Sequence, residues 1–225
     1  PSAAPMTGPF ITVIEGAGVI FAGLSGILEA RRKGMDLVGV SSVALITAFG
    51  GGTLRDLLLD RRPFYWAANP YYVGAIFLLS IAYLYGPERL RRTAHTAGSA
   101  TAGAVFDAFG LGLFAVVSTY YALAHGEAPF LASLFGVMGS TFGGVLRDIV
   151  CNEVPVMFIP GGLYATAAFA GSWLAILLSR AGLPDRNAGL AGGLATAALR
   201  IAAIRYNLGL PAVRQTAEAP LPDST

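Results

Sequence analysis

Two copies of one charged hexapeptide lie inside long apolar stretches of this chain. The first reads GGTLRD over residues 51–56, and the second reads GGVLRD over residues 143–148. Charged side chains are expensive in an apolar environment, so they mark candidate functional positions that hold ions or pair with one another. The charged residues of the two copies are Arg55, Asp56, Arg147 and Asp148.

Glycines precede both Arg–Asp pairs and could change the shape of the helices that carry them. A helix can bend or unwind at glycine and leave carbonyl oxygens without helical partners. Such carbonyls are cation ligands in channels and transporters. The alternative is that the glycines only let two helices pack closely. The glycines concerned are Gly50, Gly51, Gly52, Gly143 and Gly144.

The partners of the two arginines are open at the level of sequence. One hypothesis pairs Arg55 with Asp148 and Arg147 with Asp56, across the two copies. A second lets each arginine bind carbonyls freed in the opposite helix. The alternative to both is a purely structural buried ion pair that holds the two halves of the protein together.

Two further acidic residues, Glu15 and Asp107, lie near the starts of predicted apolar helices. If the two copies are inverted, these residues lie at opposite mouths of one pathway. Four carboxylates then face two guanidiniums within the membrane, and a water-filled path of that charge favours cations. The alternative is that either carboxylate is interfacial and solvated.

The two hexapeptides belong to a longer internal repeat with a spacing of 92 residues. The same shift superimposes Glu15 on Asp107. It also relates other pairs of identical residues, namely Gly18 and Gly110, Gly34 and Gly126, Ser41 and Ser133, Pro63 and Pro155, and Tyr72 and Tyr164. A match at so many positions indicates a structural repeat.

The composition predicts that helices in a membrane position these residues. Of 225 residues, 55% are hydrophobic and only 12% are charged, which is typical of an integral membrane protein and not of a soluble domain. With about 20 apolar residues needed for each span, the sequence predicts seven transmembrane helices. Their ranges are Phe10–Leu28, Leu37–Leu59, Tyr71–Tyr85, Ala97–Ala124, Phe130–Val150, Leu163–Ser179 and Ala188–Ile204.

Three helices in each repeat, an odd number, place the second copy upside down relative to the first. We therefore predict an all-α integral membrane protein with two inverted three-helix repeats and a seventh helix as a brace. The predicted divisions are an N-terminal extension over 1–9, the first repeat over 10–95, the second over 96–182, the seventh helix over 183–205 and a flexible tail over 206–225.

Basic residues predict the orientation in the cytoplasmic (inner) membrane. Cations in cytoplasmic loops set topology, which puts the N-terminus outside and the C-terminus in the cytoplasm. Lys and Arg in these loops also anchor lipid headgroups. The loop over 152–155 is also predicted to be cytoplasmic but has no basic residue. The cations on the predicted inner side are Arg31, Arg32, Lys33, Arg89, Arg91, Arg92, Arg200, Arg205 and Arg214.

These features resemble the prokaryotic members of the trimeric intracellular cation (TRIC) channel family, also known as membrane proteins with a glycine-transporter domain. The resemblance spans about Phe10 to Ile204. Beyond the two hexapeptides, it is carried by the segments SG at 25–26, ARRKGMD at 30–36, DAFGL at 107–111 and LYA at 163–165, and by Pro63 and Pro155.

The resemblance implies a homotrimer in which each protomer has its own pore and passively conducts K⁺ and other monovalent cations. Glycine kinks in the second and fifth helices would shape the waist of the pore, with the Arg–Asp pairs beside it. Phe142 stands where the first copy has Gly50. The fifth helix would therefore bend less, and Phe142 is a candidate hydrophobic gate.

Two other classes of function are alternatives to a channel. A secondary transporter of a small solute such as glycine would use the same broken helices. An enzyme is disfavoured, because His95 and His125 lack evident catalytic partners and the glycine motif lacks the Lys-Ser/Thr of a phosphate-binding loop. We expect no cofactor, no stably bound metal and no nucleic-acid partner. The single Cys151 is expected to be a small interior residue.

Overall fold

The computed structural model describes residues 8–86, 99–159 and 161–210, and these residues are helical with short connections. The helices are α1 (Pro9–Arg32), α2 (Leu37–Leu58), α3 (Tyr65–Ala68), α4 (Tyr71–Tyr85), α5 (Ser99–Ala124), α6 (Pro129–Val150), α7 (Tyr164–Arg180) and α8 (Asp185–Tyr206). A short 3₁₀ turn, Val156–Phe158, lies between α6 and α7.

The prediction of an all-α membrane protein is confirmed. Within the described ranges, five helices are long and apolar enough to cross a bilayer: α1, α2, α5 from Thr101, α6 and α8. Helices α4 and α7 are shorter, with 15 and 17 residues. A helix of 15 residues is roughly 22 Å long, less than the hydrocarbon core of a typical bilayer. Seven complete spans therefore stay a prediction.

Some of the sequence predictions lie outside the described residues. They include the boundary between the two repeats at residues 95–96, the first residues of the fourth predicted helix, and the tail from residue 211. The basic residues Arg89, Arg91, Arg92 and Arg214 are in the same segments.

Residues related by the 92-residue shift follow the helix ends of the two copies and have similar backbone conformations. Gly34 follows α1 with φ of +72° and Gly126 follows α5 with φ of +87°, a left-handed conformation that glycine adopts without strain. Asp60 after α2 and Asn152 after α6 also have positive φ, 50° and 55°. The 92-residue repeat is therefore visible in the backbone as well as in the sequence.

The helices pack so that α2 and α6 contact each other at the centre of the described structure. Helix α1 packs on α2 and α5, and α5 also contacts α6 and α8. Helix α8 packs on α5 and α7, as expected of a brace. After α8, the backbone N–H of Gly162 donates to the carbonyl of Leu208 at 2.7 Å, so the start of the predicted flexible tail is held against the loop before α7.

Candidate functional site: two buried charge clusters

The first cluster consists of Glu15, Arg55 and Asp56. Arg55 donates from Nε to Asp56 Oδ1 and from Nη2 to Glu15 Oε1, both at 2.8 Å. Arg55 and Asp56 are fully buried, and Glu15 is only 3% exposed. The guanidinium also lies 4.5 Å from the centre of the Tyr121 ring, so its charge is matched by two carboxylates and an aromatic face.

The second cluster consists of Asp107, Arg147 and Asp148, the residues related to the first by the 92-residue shift. Arg147 donates from Nε to Asp148 Oδ1 and from Nη1 to Asp107 Oδ1, again both at 2.8 Å. Nη1 donates additionally to Ser25 Oγ of α1 at 2.7 Å. The repeat in sequence is therefore a repeat of contacts, with one extra link between the two copies.

Each aspartate also fastens the end of its helix to the segment that follows. Asp56 Oδ2 accepts a hydrogen bond from the backbone N–H of Tyr65 at 2.9 Å, at the start of α3. Asp148 Oδ2 accepts from the N–H of Val156 at 3.0 Å, at the start of the 3₁₀ turn. Both carboxylates thus satisfy a backbone donor that would otherwise be unpaired.

The hypothesis that the arginines pair across the two copies is wrong. Each arginine instead binds the aspartate next to it and the carboxylate 40 residues before it. The reason is the geometry of α2 and α6, which are antiparallel: Gly51 approaches Gly139, whereas Gly143 approaches Thr47. Arg55 is eight residues beyond Thr47, roughly 12 Å along α2, so Arg55 and Arg147 lie on opposite sides of this crossing.

The glycines make a close crossing and do not unwind their helices. Both α2 and α6 are continuous through the glycine positions. A Cβ at Gly51 would lie 2.1 Å from the carbonyl oxygen of Gly139, and one at Gly143 would lie 2.2 Å from that of Thr47. The unwinding hypothesis is therefore wrong and close packing is correct, while a bend without unwinding stays a prediction.

A narrow polar space, here called the constriction, lies at this crossing. Its volume is about 10 Å³, and Asp107 is the charged residue in its wall. That volume accommodates about one water molecule. The other residues of the wall are small or apolar, namely Ala22, Thr47, Gly51, Gly110, Leu111, Phe114, Gly139, Ser140, Gly143 and Gly144.

A larger cavity, here called the vestibule, lies beside the second cluster and shares Asp107 with the constriction. Its volume is about 210 Å³, enough for several waters. Four carboxylates and three guanidiniums line it. These charged groups are Glu29, Asp107, Asp148 and Glu153 on the acidic side and Arg32, Arg147 and Arg200 on the basic side.

The alternative that Glu15 or Asp107 is interfacial and solvated is wrong, because both side chains are buried. Glu15 is 3% exposed and Asp107 is 9% exposed, and both bind arginine. Asp107 nevertheless contacts open space, because it lines the vestibule, whereas Arg55 and Asp56 of the first cluster have no exposed surface. In both clusters an arginine binds two carboxylates, but the clusters differ in their access to open space.

Phe142 lies elsewhere than the gate hypothesis requires. It lines a lateral apolar groove of about 640 Å³ together with Leu146, Phe49 and Trp66. Residues four apart share one face of a helix, so Phe142 and Leu146 face this groove while Gly139 and Gly143 face α2. The placement of Phe142 contradicts its assignment as the gate of the constriction.

Sequence reasoning missed Arg200 as part of the site and assigned it only to topology. Arg200 lines the vestibule, is 5% exposed, and its guanidinium lies 4.9 Å from the centre of the Tyr164 ring. Its Nη1 donates to the carbonyl of Gly162. The one available signal was that Arg200 lies within a predicted membrane helix, where a charge is costly.

Comparison with known proteins agrees with this architecture. The family model described as "Glycine transporter" matches residues 12–87 and 104–180, two segments whose starts are also 92 residues apart. A crystallised TRIC trimeric intracellular cation channel orthologue from Rhodobacter sphaeroides is 34% identical, with a TM-score of 0.79 over 88% of this chain and 98% of that one. The chain belongs to the TRIC family. A prokaryotic TRIC channel solved in 0.5 M KCl is similar too, at 28% identity and a TM-score of 0.80, over 89% of this chain and 98% of that one.

Curated relatives of this TRIC-family chain carry less specific names. The UPF0126 inner membrane protein YadS of Escherichia coli K12 is 33% identical over 196 residues, covering 85% of this chain and 90% of the relative. A UPF0126 membrane protein of Vibrio cholerae is 32% identical over 199 residues, covering 88% of this chain and 81% of the relative. This is a multi-pass membrane protein, and relatives described as inner membrane proteins support the predicted location.

Proposed function

We propose that this protein is a passive channel for K⁺ and other monovalent cations, with one pore in each protomer. The observation that carries the proposal is that the vestibule and the constriction share Asp107 in their walls. An ion entering the vestibule meets water and carboxylates first and then a gap between two helices. Beyond that gap lies the first charge cluster.

Charge supports cations as the permeant species. The vestibule has four carboxylates against three guanidiniums, a small excess of negative charge. The walls of the constriction add hydroxyl oxygens from Thr47 and Ser140, which act as neutral ligands for a cation without its full hydration shell. The carboxylate of Asp107, which lines both spaces, would repel an anion.

The described conformation corresponds to a closed pore. A space of about 10 Å³ does not pass a hydrated cation. Opening therefore requires α2 and α6 to separate at their glycine crossing, or to bend there. The glycines would then serve both states, because they permit the closest packing and offer the least resistance to bending.

The assembly and orientation follow as parts of the same proposal. The solved relatives include a trimeric channel, and we propose a homotrimer for this chain, with lipid around it. The vestibule wall contains Glu29 and Arg32 from the end of α1, beside the basic segment predicted to be cytoplasmic. The vestibule would then open to the cytoplasm and the first cluster would face outward.

The test is single-channel recording of purified protein in a planar bilayer under a KCl gradient. Wild type is expected to show unitary currents that reverse near the K⁺ potential. Asp148→Asn removes one negative charge from the vestibule and is expected to lower the conductance about threefold, the size of a unit charge acting over roughly 6 Å in water. If folded, inserted protein shows no unitary current but exchanges glycine by counterflow in liposomes, the protein is a transporter instead.

Asp60→Asn is the matched control. It removes the same charge, but Asp60 is exposed and lies in a connection with positive φ that asparagine tolerates. The second copy has Asn152 at the related position with φ of 55°. Equal losses of current in Asp60→Asn and Asp148→Asn would contradict the assignment of the vestibule as the ion pathway.

A further inference from the structure

Two positions around the charge clusters break the repeat. The 92-residue shift relates Arg61 to Glu153 and Tyr121 to Glu29. Both glutamates line the vestibule beside the second cluster. At the related positions the first cluster has a cation and a bulky phenol, so the two clusters differ in both charge and size where they meet solvent.

Arg61 and Tyr121 cover the first cluster through direct contacts. Arg61 donates from Nη1 to Asp56 Oδ1 at 3.2 Å and from Nη2 to Tyr121 Oη at 3.1 Å. Its guanidinium lies 3.9 Å from the centre of the Tyr121 ring, and that of Arg55 lies 4.5 Å from the same centre. Tyr121 is 5% exposed, whereas the Arg61 side chain is 28% exposed and is therefore the outermost of these groups.

We infer that Arg61 and Tyr121 form a plug that closes the ion pathway at the first cluster and determines how readily cations pass this mouth. The inference rests on the proposed channel function. In the plugged arrangement the phenol ring fills the space that a water-filled mouth would occupy, and the guanidinium places a positive charge in front of Asp56. The glutamates at the related positions do the opposite and attract cations into the vestibule.

The plug is built so that it can move while the cluster beneath it stays. Arg61 belongs to the connection after α2, is partly exposed, and holds Asp56 by a single contact at 3.2 Å. This is the longest of the hydrogen bonds to Asp56, and it exceeds the length of about 2.7–2.9 Å usual for a charge-assisted one. Arg55 is fully buried and binds two carboxylates at 2.8 Å or less, so Asp56 stays neutralised when Arg61 leaves.

The test compares charge variants of Arg61 by single-channel recording in symmetric KCl. Arg61→Gln is expected to raise the cation current through this mouth about threefold, and Arg61→Glu, which copies residue 153, roughly tenfold. Arg62→Gln is the matched control: it removes the same charge from the next residue, which is exposed and stacks on Phe64 at 4.3 Å. Its current is expected to equal that of wild type.

A charge-restoring experiment separates the plug from a structural role. In Arg61→Cys, a cationic methanethiosulfonate reagent is expected to lower the raised current again, and only when applied from the outer side. An anionic reagent is expected to raise the current further. Treated wild type controls for Cys151, which is 3% exposed.

Each outcome decides between the claims. Wild-type conduction with unchanged currents in both Arg61 charge variants overturns the plug and leaves the channel intact. If folded wild-type protein does not conduct, the proposed channel function fails, and the plug fails with it. If the Arg61 variants do not fold, Tyr121→Phe decides: it keeps the ring but loses the 3.1 Å hydrogen bond. A raised open probability in this variant supports the plug, and an unchanged one overturns it.

Discussion

Replacing Gly51 by alanine tests the closed crossing of α2 and α6. An added Cβ would lie 2.1 Å from the carbonyl oxygen of Gly139, whereas real Cβ atoms essentially never come closer than 3.0 Å. The atom it meets is backbone, so no side-chain rotation relieves the clash and the helices must separate by about 0.9 Å. Overpacking of this kind costs about 1–3 kcal/mol, and the better helix propensity of alanine offsets up to about 1 kcal/mol of it.

A clash of about 2 kcal/mol, partly offset by helix propensity, is expected to lower the free energy of unfolding of Gly51→Ala by about 1–2 kcal/mol, measured by denaturation in detergent micelles. Opening separates the same two helices in the proposed mechanism, so the closed state bears this penalty and the open state escapes it. A difference of 2 kcal/mol corresponds to roughly a thirtyfold rise in the ratio of open to closed channels. Bilayer recording would show this as a higher open probability.

Gly74→Ala in α4 is the control, because no atom lies within 4 Å of its added Cβ. This variant is expected to be at least as stable as wild type, with unchanged gating. If Gly51→Ala is as stable as Gly74→Ala, the crossing is looser than described and the reasoning fails. Gly143→Ala, at 2.2 Å from the carbonyl of Thr47, is expected to match Gly51→Ala.

Three further predictions concern the second cluster and its surroundings. Arg147→Met leaves buried carboxylates unpaired and is expected to destabilise the protein by about 3–5 kcal/mol in thermal unfolding, with partial recovery when Asp107→Asn is added. Arg200→Gln removes a positive charge from the wall of the vestibule and is expected to raise cation conductance. A lowered conductance would contradict the argument that this charge repels cations in the vestibule. The hydrogen bond from Lys33 lowers the pKa of the Glu153 carboxyl below its usual 4.5, so this link stabilises the folded state above pH 4.5 and is lost as the pH falls through the lowered value. A carboxyl ¹³C titration of Glu153 should therefore show a higher midpoint in Lys33→Gln, and equal midpoints would disprove the contact.

Much of the architecture was predictable from short segments of the chain. Composition predicted helices in a membrane, and the long apolar runs predicted where most of them lie. The spacing of 92 residues predicted that Glu15 and Asp107 have related environments, and both indeed bind the arginine of their own copy. These features depend on hydrophobicity and on local backbone preference, which the sequence expresses directly.

The pairing of the charges could not be predicted in the same way. Arg55 and Glu15 are 40 residues apart, as are Arg147 and Asp107. Such contacts depend on the rotation of α1 against α2 and of α5 against α6, which the packing of many small side chains decides. Because α2 and α6 cross antiparallel at Gly51, Arg55 and Arg147 lie on opposite sides of the crossing, and this excludes the cross-repeat pairs.

The sequence by itself determined the class of the protein, the repeat and the identity of its buried charges, because membrane burial and repetition leave their mark on composition and spacing. Only the tertiary structure decided that the glycines form a constriction, that Phe142 faces a lateral groove, and that one charge cluster opens to a vestibule while the other is covered. Access of this kind depends on which side chain fills the space above each cluster. That space belongs to several helices at once and to no single segment of the chain.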